Sequence, residues 1–444
     1  MKKLLISLVE KIHLMIFGHE ISDQMRGFLN NLSWSFYGGV IAMPVSMVVG
    51  TLAGRFMGPA EYGSYNLVIL ISSYVTVFSF LGLDISIIRN VAKAKNHYDQ
   101  EKSFFSSVVF VGSMTILYSL IGLIFRQKIA GVFGINKMII LFVVIYTLIV
   151  SFKLIQDILV RALEKFKLQA IARTIEVLTL VLGFVLVMAT RKGLDFGLYM
   201  GVVLLAAALV GIIYFVNLKG YFRNFSLSTL RRQLSEGKFF MLSGLLGTVF
   251  LSADRLLIAK YIGLTTLGVY SAYYAASLGL VTAMSLILTN VLFPVSAKSD
   301  DKSFTKKIDL LFTKGLLPIF LMICLAILVF LSIFGKAYPL KLDYVLLFAL
   351  VATLYFFLIV YNVVILDAGR KRYTQYFYAM SSVNLLTVGY YFFILKYVSQ
   401  SIEVVLMGFA VNLIINLSVQ RVFVRKMRKE QYLDIHGTNS LNSI

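Results

Sequence analysis

The chain has little that would support soluble chemistry. It holds one cysteine, Cys324, so neither an intrachain disulfide nor a thiolate metal cluster can form. Its four histidines, His13, His19, His97 and His436, share no helix at ligand spacing, and no metal site is expected. The phosphate-cradling, dinucleotide and Gly-x-Ser-x-Gly fingerprints are missing, so the sequence offers no catalytic residue and calls for no cofactor. Charged residues make up 14% of the chain, where a soluble domain carries about a quarter. Acidic residues are the scarcer sign: 21 Asp and Glu stand against 42 Lys and Arg, a net charge of +21.

Apolar residues dominate, at 59% of the chain with a mean hydropathy of +0.85. They gather in twelve charge-free runs, at 27–54, 62–83, 103–125, 138–152, 177–190, 196–218, 239–253, 261–297, 315–335, 344–366, 373–395 and 404–420. A spanning helix needs about 20 mostly apolar residues. Each run is read as one transmembrane helix; 261–297 is longer than one span, but its start, YIGLTTLG, reads as a turn. Spanning β-strands would alternate apolar and polar residues, and these runs do not. The expected fold is an all-α polytopic membrane protein.

The twelve runs form two similar halves. Shifted by 205 positions, RFMGPAEYGSY (Arg55–Tyr65) lies on KYIGLTTLGVY (Lys260–Tyr270), matching Gly58 to Gly263, Gly63 to Gly268 and Tyr65 to Tyr270. Ala92-Lys93 falls on Ala297-Lys298 at the same shift. Six helices per half bring both halves into the membrane from the same side, as parallel repeats, a layout of secondary transporters that rock around a central site.

The excess of positive charge suggests nucleic acid at first sight, but it is spread over short loops. With the N-terminus inside, inner segments hold 29 Lys and Arg and outer loops 10. This is the positive-inside bias; it places both termini in the cytoplasm and makes nucleic acid an unsuitable partner. The layout is then an amphipathic interfacial segment at 1–27, a six-helix lobe at 28–222, a cytoplasmic linker at 223–238, a second lobe at 239–424 and a cytoplasmic tail at 425–444, disordered from about 432. Lys2 and Lys3 precede an apolar stretch that stops at Glu10-Lys11, too short for a signal peptide.

Three runs, 138–152, 177–190 and 239–253, are too short to span alone. Their helices must take charges into the membrane: Lys153 and Asp157, then Arg173 and Glu176, then Asp254 and Arg255. Such groups cost at least about 2.5–3.5 kcal/mol near the bilayer centre and mark a functional path by default. At 1.5 Å per residue, Lys153, Asp157, Glu176 and Arg173 fall in the inner half, and Arg255 roughly 9 Å outside the midplane. Bland readings stand beside these. Lys153, Asp157 and Arg161 lie at i, i+4 and i+8 and suit an ion-pair ladder; Arg173 can snorkel to headgroups with Glu176 as its partner. Gly58, Gly63, Gly263 and Gly268 read as outer turns, Tyr261, Tyr270, Tyr273 and Tyr274 as an outer aromatic belt with sugar stacking as the alternative, and Asn290 as an interhelical hydrogen-bonder. Pro44, deep in the first run, reads equally as a hinge or a tolerated kink.

The segments AGRFMGPAEYGSYNLV, LGLDISIIRNVAK and SADRLLIAKYIGLTTLGVYSAYYAA resemble polysaccharide flippases. These are the O-antigen and capsule repeat-unit transporters of the multidrug/oligosaccharidyl-lipid/polysaccharide (MOP) exporter superfamily. The resemblance covers nearly the whole chain. It implies two six-helix lobes around a central cavity in the bacterial cytoplasmic (inner) membrane, moving an undecaprenyl-diphosphate-linked oligosaccharide outward by alternating access. Its implied partners are that lipid-linked oligosaccharide, the bilayer and the polysaccharide polymerase. Arg255, with Lys153 and Arg173, would meet the diphosphate; Asp254, Asp157 and Glu176 would carry a coupling ion. A small-molecule or multidrug cation antiporter of the same superfamily is the alternative, which the balanced intramembrane charge does not favour.

Overall fold

Polar residues in the short loops start the helices. Asn96 accepts a hydrogen bond from the Asp99 N–H at 2.8 Å, Asn136 from Met138 at 3.0 Å and Asp195 from Leu198 at 2.8 Å, satisfying amides that the first turn leaves open. The computed structural model describes residues 23–190, 193–284, 301–366 and 370–441. Their elements are α1 (Asp23–Phe80), α2 (Leu83–Lys93), α3 (His97–Ile124), α4 (Arg126–Phe133), α5 (Lys137–Ala162), α6 (Phe166–Thr190), α7 (Phe196–Leu218), α8 (Leu227–Tyr261), α9 (Leu264–Tyr274), α10 (Asp301–Phe334), α11 (Leu342–Leu366), α12 (Arg370–Tyr397) and α13 (Ile402–Leu441). No strand occurs among the described residues.

Ten helical stretches among these residues are long and apolar enough to cross a membrane. One of them, Ala42–Phe80, carries both the first and the second run across a break at Gly58, and α8 carries the seventh run. The protein is an all-α polytopic membrane protein. Leu178, Leu182 and Leu186 on α6 are more than half exposed, as are Leu317, Leu321 and Leu325 on α10. At i, i+4 and i+8 each trio makes an apolar stripe that water would penalise and lipid tails accept.

Several local expectations change. The break in α1 lies at Gly58 (φ 78°) and not at Pro44, where the helix runs on. Gly58 and Gly263 (φ 118°) do make turns. Gly63 and Gly268, expected beside them, are helical instead, and each is a close-approach site. A Cβ on Gly63 would overlap the Leu264 carbonyl, and one on Gly268 the Pro59 carbonyl. Pro59 and Leu264 are themselves repeat mates at the shift of 205, so the contact is reciprocal. The tail expected to be disordered is helical to Leu441, since a run of good helix formers separates Arg425 from Gly437. Of the segment 1–27, residues 1–22 lie outside the described residues, as does Asn290.

Packing divides the chain into two units, residues 1–57 with 68–248 and residues 58–67 with 249–444. In the first, α3 packs on α5, α5 on α7, and α6 on α7. In the second, α10 packs on α11, α11 on α13, and α12 on α13. These are the third-to-fourth, fourth-to-sixth and fifth-to-sixth runs of each half, so the duplication read from two motifs extends through the packing. The first unit's core joins Phe80, Leu83, Ile87, Phe104, Leu159 and Tyr214. Residues 227–238, expected in the linker, form the start of α8. Gln233 fastens that start: its amide donates to Ser103 Oγ (2.7 Å) and accepts from Ser107 Oγ (3.0 Å), fully buried.

Candidate functional site

Burying charge in a membrane helix is costly unless a partner is at hand, so the partners report what each charge does. In the first unit, Lys153 on α5 meets Glu176 on α6 at 2.5 Å, with side chains 18% and 24% exposed. This replaces two expected local pairings, since Lys153 does not join Asp157 in the ladder and Glu176 does not partner Arg173. A contact across helices prevails because α5 and α6 pack together, and each side chain reaches its neighbour more directly than its own helix mate. Arg173 is exposed and forms no ion pair among the described residues.

Asp157 is buried and has three partners. Its Oδ1 accepts from Gln169 Nε2 at 3.0 Å and from the Tyr214 hydroxyl at 2.9 Å. Its Oδ2 lies 3.4 Å from Arg161 Nε, the surviving half of the expected ladder. One carboxylate thus ties together α5, α6 and α7.

The second unit repeats that tie with a neutral acceptor. The shift of 205 places Asn362 on Asp157. Asn362 Oδ1, on α11, accepts from the Tyr376 hydroxyl on α12 at 2.9 Å and from Gln420 Nε2 on α13 at 2.7 Å. Both units therefore use an oxygen acceptor, a tyrosine hydroxyl and a glutamine amide, with the tyrosine and glutamine exchanged between the last two helices. Sequence reasoning missed this set. The signal was available, because carrying the repeat alignment into the fourth and tenth runs pairs Asp157 with Asn362.

On α8, Asp254 is fully buried and accepts from the Tyr270 hydroxyl at 2.5 Å. Arg255 is partly buried; its guanidinium lies 4.2 Å from the centre of the Tyr274 ring. Arg255 also donates to the Leu251 carbonyl at 2.9 Å, and its Nε lies 4.0 Å from Asp254 Oδ1. The aromatic belt expected here is corrected: Tyr270 and Tyr273 are buried. Tyr273 donates to the Pro339 carbonyl and accepts from the Lys341 amide, both at 3.0 Å. A fully buried carboxylate needs a donor, and Tyr270 is that donor. Tyr261 alone keeps an interfacial character, beside Phe392 and under Lys260.

The repeat separates these charges into two kinds. Asp157 has a polar mate in a matching hydrogen-bond set. Lys153 and Glu176 correspond instead to Leu358 and Ser381, and Asp254 and Arg255 to Val49 and Gly50. These pairs each occur in one unit only, so the shared fold does not require them. Among the described residues no cluster of carboxylates, histidines or cysteines could hold a metal ion.

Known proteins agree with the layout. The profile of a family described as polysaccharide biosynthesis protein matches residues 28–300. The chain belongs to that family. A Shigella flexneri relative, named as an O-antigen transporter, is 26% identical over 319 residues, covering 68% of this chain and 73% of its own. A multidrug-resistance MATE family transporter of the MOP superfamily, solved facing inward, superposes with a TM-score of 0.61 at 12% identity, over 89% of this chain and 99% of that one. A MOP-superfamily transporter from Pyrococcus furiosus superposes with a TM-score of 0.55 at 14% identity, over 91% and 96%. This member of the polysaccharide biosynthesis family thus has the fold of MOP-superfamily transporters.

Proposed function

We propose that the protein is a transporter that moves an undecaprenyl-diphosphate-linked oligosaccharide repeat unit from the inner to the outer leaflet of the cytoplasmic membrane, by alternating access, for surface polysaccharide synthesis. The observation that carries this reading is the basic residue held in each once-only pair, Lys153 in the first unit and Arg255 in the second. A lipid-linked diphosphate cannot cross unaided, because taking an ion into a medium of low dielectric constant costs on the order of 20 kcal/mol in an idealised estimate. Cationic stations along a hydrated path remove most of that cost, while the lipid tail stays in the bilayer. Arg255 is the diphosphate contact, Lys153 the inner station, and Arg173 an exposed inner residue for first encounter. Glu176 and Asp254 are the candidates for a coupling ion; Asp157, with its neutral mate, is assigned to holding helices. The family and the O-antigen relative support the substrate class, and the basic loops support cytoplasmic termini.

The test is flipping by purified protein in vesicles, scored as labelled glycan reaching the opposite leaflet. Arg255→Glu is expected to abolish flipping with the protein still inserted and melting normally. Arg255→Lys retains part of the activity, since an ammonium still binds phosphate but loses the two-pronged fork. Normal flipping by Arg255→Ala overturns the assignment of Arg255. Transport of an organic cation with no movement of glycan would replace the whole reading with that of a cation antiporter.

A further inference from the structure

The ring of Tyr274 lies beneath the Arg255 guanidinium. A long arginine side chain in a partly buried site has many rotamers, and a phosphate contact needs its planar edge in one place. Three observations converge on how the chain meets that need. Asp254 accepts from Tyr270 at 2.5 Å, which sets the rotation of α9 against α8. Tyr274 sits one turn beyond Tyr270, stacked on it at 6.4 Å, and so falls over Arg255 at 4.2 Å. Directly after Tyr274 the helix changes to a π-turn, Ala275–Gly279. Such turns are rare and occur frequently at functional sites.

The repeat adds a fourth observation. At the positions equivalent to Arg255 and Tyr274 the first half has Gly50 and Ile69. Arginine and ring are present together in one half and absent together from the other, as expected if the ring serves the arginine. The neighbouring tyrosine does not follow this pattern, since Tyr270 has Tyr65 as its mate.

We propose that Tyr274 is a positioning residue for diphosphate recognition, holding the Arg255 guanidinium by its face so that its N–H edge meets phosphate oxygens in a fixed orientation. The proposal rests on the reading of Arg255 as the diphosphate contact. It assigns the ring, and not the hydroxyl, as the working part of Tyr274, because a cation is held by the π face.

The experiment measures flipping in vesicles against the concentration of undecaprenyl diphosphate carrying a short labelled oligosaccharide. Tyr274→Leu is expected to raise the half-saturating concentration about tenfold, the effect of losing a partly desolvated cation–ring contact, with little change in maximal rate. Tyr274→Phe keeps the ring and stays near wild type. In an Arg255→Gln background, Tyr274→Leu adds nothing further. Should the leucine variant fail to insert, Tyr274→Met fills similar volume without a ring and carries the same expectation. The proposal is overturned if Tyr274→Phe is as defective as Tyr274→Leu, if the leucine variant saturates like wild type, or if its effect persists without Arg255. Arg255→Gln that flips normally sinks the underlying assignment of Arg255 instead, so the two failures are distinguishable.

Discussion

The two halves of this protein solve one packing problem with different chemistry. In each, the fourth, fifth and sixth helices meet at an oxygen that accepts from a tyrosine and a glutamine. The first half uses Asp157 with Gln169 and Tyr214, the second Asn362 with Tyr376 and Gln420. Phe56 and its repeat mate Tyr261 also each sit against a phenylalanine, Phe184 and Phe392, both at 6.1 Å. The halves differ where charge goes beyond what the shared architecture uses: Lys153 with Glu176 in one, Asp254 with Arg255 in the other. The lesson is that an intramembrane charge is not by itself a functional mark. A carboxylate whose repeat mate is an amide in the same hydrogen bonds is explained by structure, whereas a charge pair whose mates are apolar or small is not.

The sharpest way to break the comparison is at the reciprocal glycines. Gly63→Ala and Gly268→Ala each drive a methyl group into a backbone carbonyl that cannot move aside. Overpacking of this kind costs about 1–3 kcal/mol or more. We expect the two variants to lose similar amounts of thermal stability, each falling well below Gly244→Ala, whose added methyl meets nothing within 4 Å. Unequal losses at Gly63 and Gly268 would show that the contact is not reciprocal.

A smaller effect separates structure from function at the acceptors. Asp157→Ala strands a tyrosine and a glutamine, at about 1–3 kcal/mol per buried unsatisfied group, whereas Asn362→Ala costs less, because Gln420 still donates to the Tyr376 hydroxyl and the Leu358 carbonyl. Asp157→Asn preserves both hydrogen bonds and gives up the contact with Arg161, which is half exposed, so the loss stays under about 1 kcal/mol. Melting of the purified variants orders the three, and flipping by Asp157→Asn is expected to be near normal. An inactive but stable Asp157→Asn would return that carboxylate to the list of ion carriers.

The smallest change in stability is expected at the once-only pair of Lys153 and Glu176. Lys153→Gln combined with Glu176→Gln removes both charges and leaves two side chains able to hydrogen-bond, so the melting temperature is expected to shift by no more than the roughly 1 kcal/mol of a partly exposed pair. Flipping is nevertheless expected to fall by about tenfold or more, the cost of 1.4 kcal/mol at a barrier. Full activity in this double variant would place the pair with the structural ties and leave the second half alone with the transport chemistry.

Several of these distinctions were open to sequence reasoning and several were not. The twelve runs, the duplication and the charges forced into short runs are all visible along the chain, because each follows from local hydropathy or self-similarity. Asn362 was accessible through the repeat, but an amide in an apolar run raises no alarm of the kind a carboxylate does. The tyrosines at the start of α9 misled for a different reason. Their position near a helix end matches a membrane belt, and nothing local reveals that Asp254, on the preceding helix, lies opposite Tyr270. Gly63 and Gly268 misled in the same way: one motif holds two kinds of glycine, and only a three-dimensional neighbour separates a turn from a close approach.

Amino-acid order by itself determined that this is a helical membrane protein, where its runs lie and that its halves are repeats. These properties depend on partition between water and lipid, which acts on a single segment at a time. Tertiary structure alone decided the partners: Lys153 with Glu176 instead of Asp157, Asp157 with Gln169 and Tyr214, and Arg255 on the ring of Tyr274. A buried charge takes the nearest well-placed partner, and in a helical bundle that partner commonly stands on the neighbouring helix, where sequence separation carries no information about distance.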